Sequence, residues 1–373
     1  MKEIYLDHAA ATPIDPGVQR VVTQTMKLYG NPSSYNDAGR QAAQELTQAR
    51  KTVARFLGAH EQEIIFTSSG SEANALALRS FKNILTTPIE HKSVLENISK
   101  DSMYVSVDAE GIIDLRDLEK KLTRKTELVS VMYANNEIGT IEPIIKIGKL
   151  IKEFRSKHKI ITPFFHVDAC QAAEYLPMNV NQLGVDLLVL NGSKIYGPRG
   201  TGVLYVRQGT PLKPMITGGG QEFGLRAGTE NVSALVGLAK AVGLIDKKEG
   251  NRLASLRDYF ISKFLAIVSE AQIHGALNKD RLPNNINISI PGLGSENLLL
   301  ELDKYGIRAG SGSACTARSV EPSHVLRAIG VRKPYLDGAL RFSLGRGITK
   351  KEIDYLLKVL PRIVNDLKKR YHG

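Results

Sequence analysis

An α/β fold with parallel strands is what the sequence predicts, on three observations. Four apolar runs of strand composition, "EIIFTSSGS", "ELVSVMYANNE", "ITPFFHVDACQ" and "VDLLVLNGSK", each end in small or polar residues. Helix-forming stretches separate them, the alternation that builds a parallel sheet. The chain has 373 residues, 42% hydrophobic and 24% charged, enough for a large core and two unequal domains.

The elements follow in order. Residues 41–57 read as a helix because Leu46, Ala49, Val53, Phe56 and Leu57 recur at helical spacing, with Gly58 as C-cap. The four strand runs come next. Past residue 230 the pattern changes: "NVSALVGLAKAVGLIDKKEG" runs into a segment with Leu253, Leu256, Phe260, Phe264 and Ile267 on one face, together a long helical connection. Short strands follow in "NNINISIPG" and "ALRFSLG". Thr349 with Glu352 three residues on opens the last helix as a capping box. Pro361 is expected to kink or divide that helix. The expected division is a large α/β domain over 15–249 and a smaller α+β domain from 1–14 and 250–373, with the first dozen residues against the smaller one.

Composition narrows the function. No run of 18 apolar residues offers a membrane span, and "MKEIYLDHAAATPID" lacks the apolar core of a signal peptide. Two cysteines, Cys170 and Cys315, make no disulfide framework and suit a reducing cytoplasm. The formal charge of +12 invites a nucleic-acid partner, but basic residues are dispersed among Glu and Asp, and we read solvated surface charge in preference.

In a parallel α/β sheet, ligands bind beyond the carboxyl ends of the strands. The runs put Gly70-Ser71, Asn135-Asn136-Glu137, Asp168 with Gln171, and Lys194 there. "FTSSGSEANALAL" leads a strand through a Gly-Ser turn into a helix whose N-terminal N–H groups suit a phosphate, although an ordinary capped loop looks the same. A carboxylate at the end of "FFHVDA" is costly without donors or a cation; a helix N-cap is its plain role and a protonated ring nitrogen its sharper one. Lys194, followed by Gly197, Pro198, Gly200 and Gly202, is a loop charge or a reactive amine. Taken together, the three specify pyridoxal 5'-phosphate (PLP), which carries a phosphate, a ring nitrogen and an aldehyde for a lysine.

At this point the chain resembles the class V aminotransferase-like enzymes of PLP fold type I, and within them the cysteine desulfurases of the NifS/IscS type. The resemblance spans nearly the whole chain, through "IYLDHAAATP", "GNPSS", "IIFTSSGSEAN", "IEHKSV", "NNEIGTI", "HVDACQ", "SKIYGPRGTGVLYV", "GGGQEFGLRAGTEN", "SGSACT", "EPSHVLRAIG" and "LRFSLGR". It implies a large mixed, mostly parallel sheet domain plus a smaller α+β domain, assembled as a homodimer. It also implies conversion of L-cysteine to alanine, with a persulfide left on the enzyme for a sulfur-acceptor protein of iron–sulfur assembly or tRNA thiolation.

By that resemblance Lys194 matches the Schiff-base lysine and Asp168 the partner of the pyridine nitrogen. Gln171 and Asn136 match positions beside the cofactor's ring oxygen, and Gly70 and Ser71 the phosphate turn. Thr229 matches a phosphate contact from the second subunit, and His91 the residue stacked on the ring, a proton carrier. Arg341, with Asn31, matches the group that holds the substrate carboxylate, a task suited to a planar guanidinium. Cys315, in "AGSGSACTARS", matches the nucleophile that separates desulfurases from aminotransferases, whereas Cys170 reads as a small buried hydrophobe. Each has a plain reading too: Arg341 as a surface ion-pair residue, His91 as a loop histidine, Asn31 as a turn before Pro32, Thr229 as a helix N-cap.

Three departures stand out. The family's Ser-x-His-Lys is here Asn191-Gly192-Ser193-Lys194, two cofactor-contacting positions that still hydrogen-bond but carry no charge, which predicts weaker cofactor retention. Asn36 stands where relatives commonly place histidine. The chain stops at Gly373 soon after the terminal helix, where relatives with a longer tail dock the iron–sulfur scaffold, which puts that partnership, though not the chemistry, in doubt. Rival readings are an aminotransferase or selenocysteine lyase on the same fold, and a non-catalytic module holding RNA on its basic surface.

Overall fold

The computed structural model describes residues 3–312 and 322–372; Cys315 lies outside them. Strand β1 (Ile4–Tyr5) precedes a seven-stranded sheet of β2 (Ile64–Thr67), β3 (Ile84–Thr86), β4 (Met103–Tyr104), β5 (Leu128–Met132), β6 (Phe164–Asp168), β7 (Leu187–Asn191) and β8 (Gly202–Val206). Its order is β2-β8-β7-β6-β5-β3-β4. Pairing is parallel from β7 across to β4, and only β8 runs against its neighbours β7 and β2. The carboxyl ends of β2, β5, β6 and β7 therefore share one edge. β5, β6 and the first four residues of β7 are buried, as strands covered by helices on both faces require.

The second sheet has the order β12-β13-β10-β9, with β9 (Gln272–Ile273), β10 (Asn285–Ser289), β12 (Gly310–Ser311) and β13 (Ala339–Ser343) all antiparallel. Its pleat explains the alternation in "NNINISI". Ile286, Ile288, Leu340 and Phe342 enter one apolar core, while Asn285 and Asn287 turn the other way and donate their Nδ2 to the Glu137 carbonyl at 3.2 and 3.1 Å. The polar face of the small sheet is thus the one applied to the large one. β1 pairs in parallel with β11 (Ile307–Arg308), and Leu6 joins the same small core.

One core gathers residues from Val18 to Val242 with Leu282 added; the other gathers Ile4, Leu6 and residues from Leu253 to Leu367. We propose that these two cores mark the domains 15–249 and 1–14 with 250–373.

Three helices differ from the sequence reading. The helix expected from residue 41 begins at Asp37, because Asn36 Oδ1 accepts the Gly39 N–H at 2.9 Å as N-cap. The long connection after residue 230 is two helices, Val232–Gly243 and Lys248–Ile267. The terminal helix runs unbroken from Lys350 to His372 with Pro361 inside it. Ile353, Leu356, Leu360, Ile363, Val364 and Leu367 are all buried in the small core. That packing outweighs the few kcal/mol, about 3, that an interior proline costs. The capping box forms: Thr349 N–H donates to Glu352 Oε2 at 2.8 Å. No described helix is long and apolar enough to cross a membrane.

Candidate active site

A cavity of about 210 Å³ opens at the carboxyl edge of the large sheet. Gly70, Ser71, His91, Asn136, Asp168, Gln171, Asn191, Lys194 and Arg341 all line it. Ser193 stands beside it through Asn191. Thr229 and Asn31 are exposed and do not line the cavity of their own chain; Asn31 Oδ1 accepts the Ser33 N–H of its own turn at 2.9 Å.

Asp168 is the last residue of β6 and is 7% exposed. Its Oδ1 accepts the Cys170 N–H at 3.0 Å and its Oδ2 accepts Asn74 Nδ2 at 2.8 Å, which keep a carboxylate tenable in this setting. The Asn74 amide also donates to Ser93 Oγ at 2.9 Å, and that hydroxyl lies 2.7 Å from His91 Nδ1. The Ser93 N–H donates to the same Nδ1 at 3.1 Å, so a neutral His91 carries its proton on Nε2. Burial lowers the His91 pKa, against the pull of Asp168, and favours that neutral form. A hydrogen-bonded chain thus joins the carboxylate to the imidazole.

Lys194 follows β7 in a short 3₁₀ turn that Asn191 caps. Its Nζ donates to the carbonyls of Ala9 and Ala10, which also line the cavity, at 2.8 and 2.5 Å. Gln171 Nε2 donates to the same Ala9 carbonyl at 2.9 Å. Asn191 Oδ1 accepts both the N–H and the hydroxyl of Ser193, at 3.1 and 3.0 Å. The Ser193 hydroxyl is therefore engaged within its own turn.

The helix Gly70–Leu78 starts at the cavity. Ser69 Oγ meets the Glu72 N–H at 3.1 Å, while the Gly70 and Ser71 N–H groups have no acceptor within the helix. A Cβ at Gly70 would stand 2.7 Å from Cys170 Sγ, so only glycine lets this turn sit so close to the end of β6. Cys170 is half-buried, packed against the apolar core on one side and lining the cavity on the other. Burial, then the Asp168 charge, push its thiol well above its ordinary range, which disfavours the thiolate.

The opposite wall is Arg341, from the middle of β13 and 1% exposed. The neighbouring Glu137 carboxylate is buried, and burial raises its pKa. Gly312, the described residue before the Cys315 segment, and Ser323, just after it, both meet Glu137: a Cβ at Gly312 would stand 2.7 Å from Oε2, and Ser323 Oγ donates to Oε2 at 2.5 Å. The sequence marks Glu137 as a strand-end residue without assigning it a role. Sequence reasoning missed Asn74, Ser93, Lys92 and His324, whose Nε2 donates to the Glu90 carbonyl at 2.9 Å. Asn74 left one signal, a polar residue among the apolar positions of "EANALAL".

A mostly parallel sheet with a lysine and a carboxylate at adjacent strand ends, a helix N-terminus beside them and an arginine opposite defines an enzyme cavity of the doubly wound α/β class. The class-V aminotransferase family model matches residues 4–356, and the chain belongs to that family. It is 43% identical to "Cysteine desulfurase IscS" of Dictyoglomus turgidum, over 98% of this chain and 96% of the relative. Among solved structures it is similar to a "NifS-like protein" at 34% identity and a TM-score of 0.89, covering 98% of this chain and all of the other. A structure titled "SspA in complex with cysteine" matches at 32% identity and a TM-score of 0.77, over 92% and 99% of the two chains.

Proposed function

We propose that the protein is a PLP-dependent cysteine desulfurase that converts L-cysteine to L-alanine and leaves a persulfide on Cys315. The observation that carries the reading is that Lys194 and Asp168, from adjacent strand ends, face one cavity with Arg341 opposite. The residues fit PLP: an amine for its aldehyde, a carboxylate for its ring nitrogen, and the glycine turn and helix N-terminus for its phosphate. When bound, the cofactor supplies an electron sink conjugated to the substrate Cα.

The chain's own residues do the rest. Lys194 would hold the cofactor through its aldehyde, and Gln171 and Asn136 would lie beside it. Asp168, held by Asn74 and the Cys170 N–H, would face the ring nitrogen and favour its protonated form. Arg341 grips the substrate carboxylate and so orients Cα. Lys194 moves the Cα proton, and neutral His91 offers the second proton station. The thiolate of Cys315 attacks the substrate sulfur: the S–S bond forms, the C–S pair passes to substrate Cβ, and a proton delivered to Cβ and one returned to Cα complete alanine. Gly312 and Ser323, described residues on either side of that segment, both meet Glu137 of the cavity wall, which supports the assignment.

The exposed Thr229 and Asn31, with Tyr29 at 92% and Tyr35 at 96% exposure, support a homodimer in which these segments meet the second subunit. The acceptor of the persulfide sulfur is a protein of iron–sulfur assembly or tRNA thiolation. A free thiolate nucleophile calls for a reducing compartment such as the cytoplasm.

The test incubates protein with PLP, L-cysteine and a thiol reductant and assays alanine and sulfide. Lys194→Ala should lose activity by about a thousandfold or more, and borohydride should no longer fix cofactor to the chain. Cys315→Ser should lose sulfide release while still binding cofactor. Desulfuration surviving in Cys315→Ser, with transamination of an added keto acid, would move the assignment to an aminotransferase or selenocysteine lyase.

A further inference from the structure

Asp7 is not among the residues lining the cavity; it stands behind Arg341. Its Oδ1 accepts from Arg341 Nη2 at 2.8 Å, with the arginine side chain 1% and the aspartate 20% exposed. Arg341 Nη1 donates to the carbonyls of Asn136 and Gly312, at 3.0 and 3.1 Å. Arg341 Nε is buried and has no acceptor among the described residues. Three elements set this geometry. Gly310 lies opposite Arg341 in the β12–β13 ladder, and Asp7 bridges Ser343 two residues along β13. A Cβ at Gly310 would stand 2.8 Å from Asp7 Oδ1 and 3.1 Å from Arg341 Nη2, so the bare backbone there lets the ion pair close.

We propose that Asp7 is a positioning and counter-charge residue that weakens the grip of Arg341 on amino-acid carboxylates, so that L-cysteine is held loosely and alanine leaves. The inference rests on the reading of Arg341 as the carboxylate-binding group. A substrate carboxylate reaching Arg341 meets a cation already shared with Asp7, and two like charges on one guanidinium oppose each other. An Asp7 that only steadied the arginine would act in the opposite sense, since its loss would slacken the guanidinium and weaken binding.

The experiment compares cofactor-loaded wild type with Asp7→Asn, Asp7→Glu and Arg341→Ala. L-Alanine affinity is read from the rise in thermal midpoint with alanine concentration, and KM and kcat for L-cysteine are measured in parallel. Asp7→Asn should bind alanine about tenfold tighter and lower KM by a similar factor without raising kcat. Asp7→Glu, which restores the charge, should return affinity toward the wild-type value, and Arg341→Ala should lose the alanine-dependent shift. Should Asp7→Asn fail to fold, Asp7→Ser removes the same charge and is read the same way. Unchanged or weaker alanine binding on removal of the charge, with Arg341→Ala still losing the shift, overturns the inference alone. Alanine binding that survives in Arg341→Ala overturns the carboxylate reading and this inference with it.

Discussion

The two walls of the cavity are built by opposite means. On the large-sheet side, Asp168 is the last residue of β6, paired there with Met132 and Val189, and Lys194 lies three residues past the end of β7. On the small-sheet side, Arg341 stands in mid-strand, paired across to Asn287 and flanked by Leu340 and Phe342, which point into the apolar core. A slip of one residue in β13 would exchange Arg341 for one of those neighbours. The reacting groups thus occupy the ends of ordered backbone, whereas the anchoring group occupies the place where register is most strictly fixed. The division suits the chemistry proposed, since a carboxylate clamp needs a fixed plane.

The sharpest way to break that comparison is Asp168→Asn. The amide keeps the shape and removes the charge, so turnover should fall by roughly a thousandfold with KM for L-cysteine little changed. Steady-state kinetics decide it: a rise in KM with kcat intact would mean that the strand-end wall anchors substrate and that the division of labour is wrong.

A smaller effect is expected from Ser193→His. The Ser193 hydroxyl is bonded to Asn191 Oδ1, so the turn before Lys194 brings no charge of its own to the phosphate end of the cavity. A histidine adds a charge-assisted donor there and should tighten cofactor retention by about tenfold, measured by dialysis and PLP titration. Equal retention in the two proteins would show that the neutral turn already serves the phosphate fully.

The same contrast explains what could be read without coordinates. β2 and β5 to β7 were legible because fully buried parallel strands are continuous apolar runs, and Lys194 and Asp168 because they follow such runs directly. Arg341 was legible only by resemblance, since an arginine within an alternating strand looks like any solvent-facing position. The groups that steady the site left almost no trace: Lys194 is held by the Ala9 and Ala10 carbonyls, and a backbone oxygen has no residue code. Asn74 reaches Asp168 across 94 positions, and Asp7 reaches Arg341 across 334. Pro361 misled because the local cost of proline was visible in sequence while the packing that outweighs it was not.

The smallest effect concerns Glu90, just beyond β3 on the large-sheet side. It is fully buried; its Oε1 accepts from the Thr87 hydroxyl at 2.7 Å and the Met132 N–H at 3.0 Å, while Oε2 has no donor among the described residues. Burial, aided by the nearby Asp168 charge, pushes its pKa from 4.5 up to about 8 against those two bonds. Between those values the unfolded chain has released the proton and the folded chain still holds it, so stability falls as pH rises through that window. Three buried histidines act in the opposite sense: burial lowers His8, His166 and His274 from 6.5 to about 4, so their contribution is present above 6.5 and fades as pH falls toward 4. Glu90→Gln keeps an oxygen for both bonds and removes the titration. The variant should therefore gain on wild type as pH rises, by about 3 °C in Tm between pH 5 and pH 9, with the acid side of the profile unmoved. Part of the alkaline decline should persist, because burial also raises Glu142 well above its usual value and Glu174 to about 7 despite Arg346. A constant difference in Tm across the whole range would mean that Glu90 does not titrate in this window.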